Sequence, residues 1–422
     1  MAHSRTSSTR MSRRRLLAAT GALALTAACG SDTGRDGAAG GGGPALDHWY
    51  HQYGEAGAEQ AVRRYASAYR KARVTVQWRP GNYDQQTAAA LLTRNGPDVF
   101  EGGPTLDQIR GGQVADLTDL LKDVRDDFHP AVLAPKTYEG RIYGIPQVID
   151  AQLLYYRKSL LADAGLRPPA SLDELVDAAR ALTTRDVKGL FLGNDGGAGV
   201  LAGTPLRAAG LDLVTAEGEI GFDDPRAART LGKLRALHTD RSLLLGAPTD
   251  WSDPSAFTQG LTAMQWTGLW ALPLIEKALG DDFGVLPFPA DGAHGRPAVP
   301  VGAYGAAVSA RSGHTEAAKA YVKWLWVERT DYQSDFALSY GFHIPARISL
   351  ANKATPLTEG AAAGAVRLTT EYGAAQPLLW TDRSRTAYQD ALSRIITAGA
   401  DPEAQVKSVV ATTKAELKRV RS

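Results

Sequence analysis

The sequence predicts an α/β protein of two domains, each a mainly parallel sheet flanked by helices. Three observations carry that prediction. Residues 45–101 show strand and helix patterns in β-α-β-α-β order. A second series of the same kind begins after residue 150. The chain also has 422 residues, more than the roughly 250–300 at which a single hydrophobic core stops growing. Such alternation sets neighbouring strands parallel and lays helices on both sheet faces. A hydrophobic fraction of 44%, with 8 Trp and 15 Tyr, is a globular composition.

The elements follow in order. Arg13-Arg14-Arg15 and the charge-free run Leu16–Ala28 form a basic n-region and an apolar h-region. Thirteen residues rise only about 20 Å as a helix, too little for a bilayer core of about 30 Å, so residues 1–28 read as an export signal. Ser12-Arg13-Arg14-Arg15-Leu16-Leu17 resembles the twin-arginine motif, and Thr26-Ala27-Ala28-Cys29 resembles a lipoprotein cleavage box. Cys29 is the only cysteine, which favours lipidation there and leaves no internal disulfide. Residues 29–44 then read as a flexible tether, because the Gly-rich stretch cannot form a core.

Structure is expected to start with a strand at Ala45–Tyr50. Ala61, Val62, Tyr65, Ala66 and Tyr69 recur at helical spacing within 58–70, Val74, Val76 and Trp78 alternate as a strand, and 83–94 is helical. Val99-Phe100 is a short strand ending at Glu101-Gly-Gly-Pro104. Gln152–Tyr156 opens the second series. Ser171-Leu-Asp-Glu174 is a capping box for a helix to about Leu182. Val187–Leu192 is a strand, and Thr262–Trp266 another, broken at Gly268. Pro273 is tolerable only in a first helical turn, so a helix starts near Trp270. Residues 314–328 form a strong helix, and most of the chain after 345 is helical.

The block Phe257-x-x-Gly260-x-x-Ala263-Met264-x-x-x-Gly268-x-Trp270 resembles the extracellular solute-binding proteins of ABC importers, the maltose-binding type. Pro97-Asp-Val-Phe100, Tyr143-Gly-Ile-Pro146, Leu154-Tyr-Tyr-Arg157 and Gly302-Ala-Tyr-Gly305 also fit, and the likeness runs from Ala45 to the C-terminal helices. The resemblance implies a two-lobed type II binding-protein fold with a ligand clamped between lobes joined by three crossings. Matched onto this chain, the crossings are Val148–Ala151, Val299–Gly302 and about Phe342–Ser349. Residues 45–150 with 301–345 would form the N-terminal lobe, and 151–300 with 346–422 the C-terminal lobe.

A sugar needs aromatic faces for its C–H groups and carboxylates or carboxamides for its hydroxyls. By the resemblance, Trp270 stacks on the sugar ring, Glu101 faces ligand and Tyr304 follows the glycines of the second crossing. Asp150 lies on the first crossing. Trp49, Trp251 and Trp380 lie after a strand or in polar surroundings, and Asn194-Asp195 ends a strand. Asn194-Asp195 is equally a good turn pair, and Trp266, on one strand face with Met264, fits core or cleft. Trp324 and Trp326 read as packing residues of an apolar helix.

The whole chain carries 47 basic and 45 acidic residues. Five of the arginines fall in residues 1–28, leaving 42 basic residues against 45 acidic ones, or −3. Nucleic-acid binding loses its electrostatic basis. No Gly-x-Ser-x-Gly elbow, zinc His pair or phosphate loop occurs, and His48 with His51 is weak evidence for a metal. Neither enzyme activity nor a cofactor is expected. The expected partners are a carbohydrate, an oligosaccharide in particular, the permease subunits of an ABC importer with a cytoplasmic ATPase on other chains, and the membrane through a lipid anchor. The working form is a monomer on the outer face of a bacterial cytoplasmic membrane. The alternative is a lipid-anchored glycoside hydrolase, which needs only two carboxylates roughly 5–10 Å apart.

Overall fold

The computed structural model describes residues 43–421. The export signal, Cys29 and the tether before Gly43 lie outside the described residues.

The strands that place the site are β1 (Ala45–His51), β2 (Arg73–Arg79), β3 (Val99–Glu101), β4 (Ile145–Pro146), β5 (Val148–Tyr156), β6 (Lys188–Phe191), β7 (Thr262–Gly268), β8 (Gly284–Leu286), β9 (Val299–Gly302), β10 (Gly305–Val308), β11 (Ile344–Pro345) and β12 (Gly373–Ala374). The first sheet has the order β2-β1-β3-β10-β4, and the second β12-β9-β5-β7-β6, with β8 and β11 also paired to β5.

β1 runs parallel to β2 over its whole length and parallel to β3 on its other side. The helix Ala58–Ala68 makes the crossover from β1 to β2, burying Ala61, Val62 and Tyr65. β10 then inserts antiparallel between β3 and β4. In the second sheet β6 and β7 are parallel, as are β9 and β12. The parallel share is nevertheless smaller than β-α-β order predicts. β5 enters the second sheet straight from the first and so runs antiparallel to β7, β8, β9 and β11.

The helix Leu172–Ala181 starts where its sequence predicts, with the Ser171 cap formed but the Glu174 carboxylate reaching one residue beyond the N-cap. The Ser171 side chain accepts the Glu174 N–H at 3.2 Å, and the Glu174 carboxylate takes the Ala170 N–H at 2.7 Å. Pro273 sits in the first turn of the helix Leu272–Leu279, where its missing N–H costs nothing.

Four apolar cores result among the described residues, the smallest around Trp49, Leu91 and Phe100. One draws on residues 46–148 and 306–346 and buries Trp326, with Trp324 packed on it. Another draws on 154–288 and 380–417. A third wraps β5 and β9 with Leu269, Leu272 and Ile344. The three segments matched to crossings pair side by side: Ala151 opposite Val301, Asp150 opposite Gly302, and Ile149 opposite Ile344.

Candidate functional site

Two histidine-centred hydrogen-bond groups stand where the strand ends of the first sheet meet the crossing strands. Glu101, at the end of β3, is only 1% exposed. Its Oε2 accepts from His51 Nδ1 at 2.5 Å and from the His51 backbone N–H at 3.2 Å. Its Oε1 accepts from Gln147 Nε2 at 2.8 Å and from the Tyr53 hydroxyl. Burial alone would lower the His51 pKa, but the Glu101 charge and hydrogen bond, helped by Asp150 and Glu55, raise it. The His51 ring lies 4.2 Å from that of Tyr304, at 20° to it, and 3.9 Å from that of Tyr53. Burial, then the nearby Glu101 charge, pushes both tyrosine hydroxyls above their ordinary range.

The second group joins two crossings. His343 bonds Asp150 Oδ1 on β5 at 2.5 Å and Glu55 Oε1, beyond β1, at 3.3 Å. Burial opposes the charged imidazole, yet Asp150 and Glu55 carry its pKa up to about 9. It is therefore an imidazolium at neutral pH. The Trp270 ring lies nearly parallel to it, 6.3 Å away at 25°, at the outer limit of a cation–π contact. Asp150 Oδ2 is buried without a hydrogen-bond partner.

Trp270 is half-buried at the helix start. Its Nε1–H donates to the Ser252 carbonyl at 3.0 Å, and the Trp251 ring meets it edge-on at 5.7 Å and 67°. Gly268 is required here: a Cβ would fall 2.0 Å from the Trp270 ring, so the Gly-x-Trp spacing lets the indole fold back over the strand end.

A cavity of about 390 Å³ opens near these groups, lined by their chain neighbours Gly103, Gln152, Gly302 and Ala303 and not by the histidines or Trp251 and Trp270 themselves. Gly103 and Lys136 come from the first-sheet side, Gln152, Val200 and Gln376 from the second, and Gly302 and Ala303 form its floor. Lys136 is 3% exposed, and its Nζ donates to the Ala303 carbonyl at 2.8 Å. Burial lowers its pKa to about 8, with Asp150 and Glu101 opposing.

The structure brings Glu101, Asp150, Tyr304, Trp270 and Trp251 into one region. It gives the other five candidates packing or turn roles, against the cleft expected for Trp49 and Trp380 and on the alternative left open for Trp266 and Asn194-Asp195. Trp266 is fully buried, edge-on to Phe288, because the β7 face it shares with Met264 is the core face. Trp380, 6% exposed, packs between Phe222 and Tyr388 in the same core. Trp49 is 7% exposed, with the Arg79 guanidinium 3.6 Å over its ring, so no ligand face is open. Asn194 bonds the Ala247 and Thr249 carbonyls, and the Asp195 carboxylate caps the Gly197 and Gly199 N–H groups, so both serve the turn. His48 and His51 lie three residues apart on a strand and so face opposite ways. His48 is buried against Tyr321, and burial lowers its pKa to about 3.

Sequence reading missed Tyr53, Glu55, Lys136, Gln147 and His343 as site residues. His343 alone left a signal, a histidine inside an apolar crossing segment.

Residues 53–326 match the family model described as bacterial extracellular solute-binding protein. The diacetylchitobiose-binding protein DasA of Streptomyces coelicolor is 29% identical over 346 residues, covering 74% of this chain and 77% of that protein. Among solved structures, the GacH receptor of Streptomyces glaucescens, studied unliganded and with acarbose, superposes with TM-score 0.75 at 23% identity, over 89% of this chain and 99% of its own. UgpB of Mycobacterium tuberculosis, solved with glycerophosphocholine, also reaches TM-score 0.75, at 21% identity, over 90% of this chain and 100% of its own.

Proposed function

The chain belongs to the bacterial extracellular solute-binding proteins, and we propose that its solute is a carbohydrate, held between two lobes and delivered to the permease of an ABC importer. One observation carries the sugar. Trp251, Trp270 and Tyr304 present half-buried rings beside a compact set of hydroxyl, carboxamide and carboxylate groups at strand ends. Ring faces attract sugar C–H groups, and mixed donors and acceptors match hydroxyls. The relative named for diacetylchitobiose and the acarbose complex support the same reading.

In this reading residues 45–150 with 301–345 are one lobe, and 151–300 with 346–422 the other. The two largest cores and the paired crossings support that division, and the third core joins residues of both lobes at the crossings. Binding proceeds without turnover. The protein acts as a monomer held to the outer face of the membrane through Cys29 after twin-arginine export, a reading that rests on the sequence of residues 12–29.

Thermal-shift screening against neutral and charged mono- and oligosaccharides tests the function. A ligand at 100 times Kd adds about 2.7 kcal/mol of stability. Stabilisation with no new reducing ends supports capture. Release of cleaved sugar would instead make the protein a glycosidase, and a flat screen would remove the carbohydrate.

A further inference from the structure

The cavity described above is lined by a buried ammonium that no carboxylate of the protein contacts directly. Lys136 Nζ has three donors. Its protein partners are uncharged carbonyls, Ala303 at 2.8 Å and Gly102 at 3.4 Å, and among the described residues no carboxylate comes within 4.0 Å of it. The chain is shaped around this side chain. A Cβ on Gly103 would sit 3.4 Å from Nζ, and one on Gly144 would press Cδ at 3.2 Å. Burying an ammonium on carbonyls alone is unfavourable, so a built cradle for one calls for an explanation.

The nearest acids act on Lys136 only from a distance. Glu101 bonds His51, Tyr53 and Gln147, Asp150 Oδ1 bonds His343, and both carboxylates favour the charged lysine without touching it. Across the cavity the other charged wall residues are Arg207 and Asp212. Asp212 Oδ1 is shared between Arg207 at 3.2 Å and Arg296 at 3.0 Å. Burial and the Arg296 charge lower the Arg207 pKa. The wall thus presents two cations to one carboxylate, and that carboxylate serves a third cation outside it.

We propose that Lys136 is the anion anchor of this cavity, and that the carbohydrate bound here carries an oxyanion, a carboxylate or a phosphate, seated on its ammonium. This rests on the carbohydrate reading above and narrows it to acidic sugars. The oxyanion takes the third Nζ donor and supplies the contacting anion that Glu101 and Asp150 do not, in a site of low dielectric where such a bond is strong. Arg207 adds attraction from the opposite wall.

Calorimetric titration of matched probes tests it: uronic-acid disaccharides and sugar phosphates, each beside its neutral counterpart of the same linkage. The acidic member should bind at least about tenfold tighter, and Lys136→Met should bring acidic and neutral members to equal affinity. The uronate and phosphate arms tell which oxyanion is read. Neutral members binding as tightly as acidic ones would overturn the proposal and leave the carbohydrate standing. Binding of no probe removes both. If Lys136→Met does not fold, the wild-type protein decides the matter. The acidic preference should fall as pH rises through 8 and beyond, where the ammonium discharges, with neutral affinities flat. A pH-independent preference counts against Lys136.

Discussion

Replacing His343 by Gln should destabilise the fold in a strongly pH-dependent way. The imidazolium joins Asp150 at 2.5 Å and Glu55 at 3.3 Å, and its pKa stands at about 9 against an ordinary 6.5. The folded state therefore holds a proton that the unfolded chain releases above pH 6.5. A raised pKa contributes stability that is whole below 6.5 and is lost as pH climbs through 9. A shift from 6.5 to about 9, at about 1.4 kcal/mol per unit, sets this contribution at roughly 3 kcal/mol. His343→Gln keeps a hydrogen-bonding side chain but no charge, and leaves two carboxylates facing each other across it. Denaturant unfolding of both proteins should give a gap of about 2–4 kcal/mol at pH 6, shrinking toward zero by pH 9.5. Taking the difference between proteins cancels groups remote from Asp150 and Glu55, but not Lys136 and His51, which both feel Asp150. A gap that stays constant to within about 0.5 kcal/mol across that range would refute the charged-latch argument.

Trp270→Ala should weaken ligand binding by about 2 kcal/mol or more, roughly 30-fold, as read by titration, because it removes a rigid ring contact. Trp266→Ala should act the other way, costing about 3–5 kcal/mol in chemical denaturation through the cavity left in the core, with affinity kept in the folded fraction. Solution scattering at saturating ligand should report a smaller radius of gyration, since a solute touching both lobes stabilises the closed form; an unchanged profile argues for a preclosed site. Cys29→Ser should release the exported protein from membranes, and fractionation showing it still membrane-bound would dismiss the lipid anchor.

Local signals in the sequence were read well because their causes are local. The Ser171–Glu174 box, Pro273 in a first turn and the Gly268–Trp270 spacing each depend on neighbours a few residues away. The tryptophans divided less cleanly. Hydrophobic patterning places Trp266 on a strand face but does not say whether that face meets a core or a cleft. Trp380 stood among polar neighbours in sequence, yet it packs on Phe222, a residue from a distant segment. The histidine groups were out of reach for the same reason. Glu101 is joined to His51 and Gln147, and His343 to Asp150 and Glu55, by contacts whose sequence separation carries no periodic trace.

The place of β10 bears on how the chain can be made. It lies inside the first sheet, joining Val99–Glu101 to Ala306–Val308, with β4 on its far side. A ribosome therefore releases β1 to β4 long before the strand that holds β3 and β4 together exists. Until then those two strands expose unpaired edges, the kind that invite association with other chains. Such distant pairing also slows folding, because loop closure precedes the reward of contact. A fragment ending near residue 300 should be an incomplete, aggregation-prone body, because β3 and β4 then lack the strand that pairs with both.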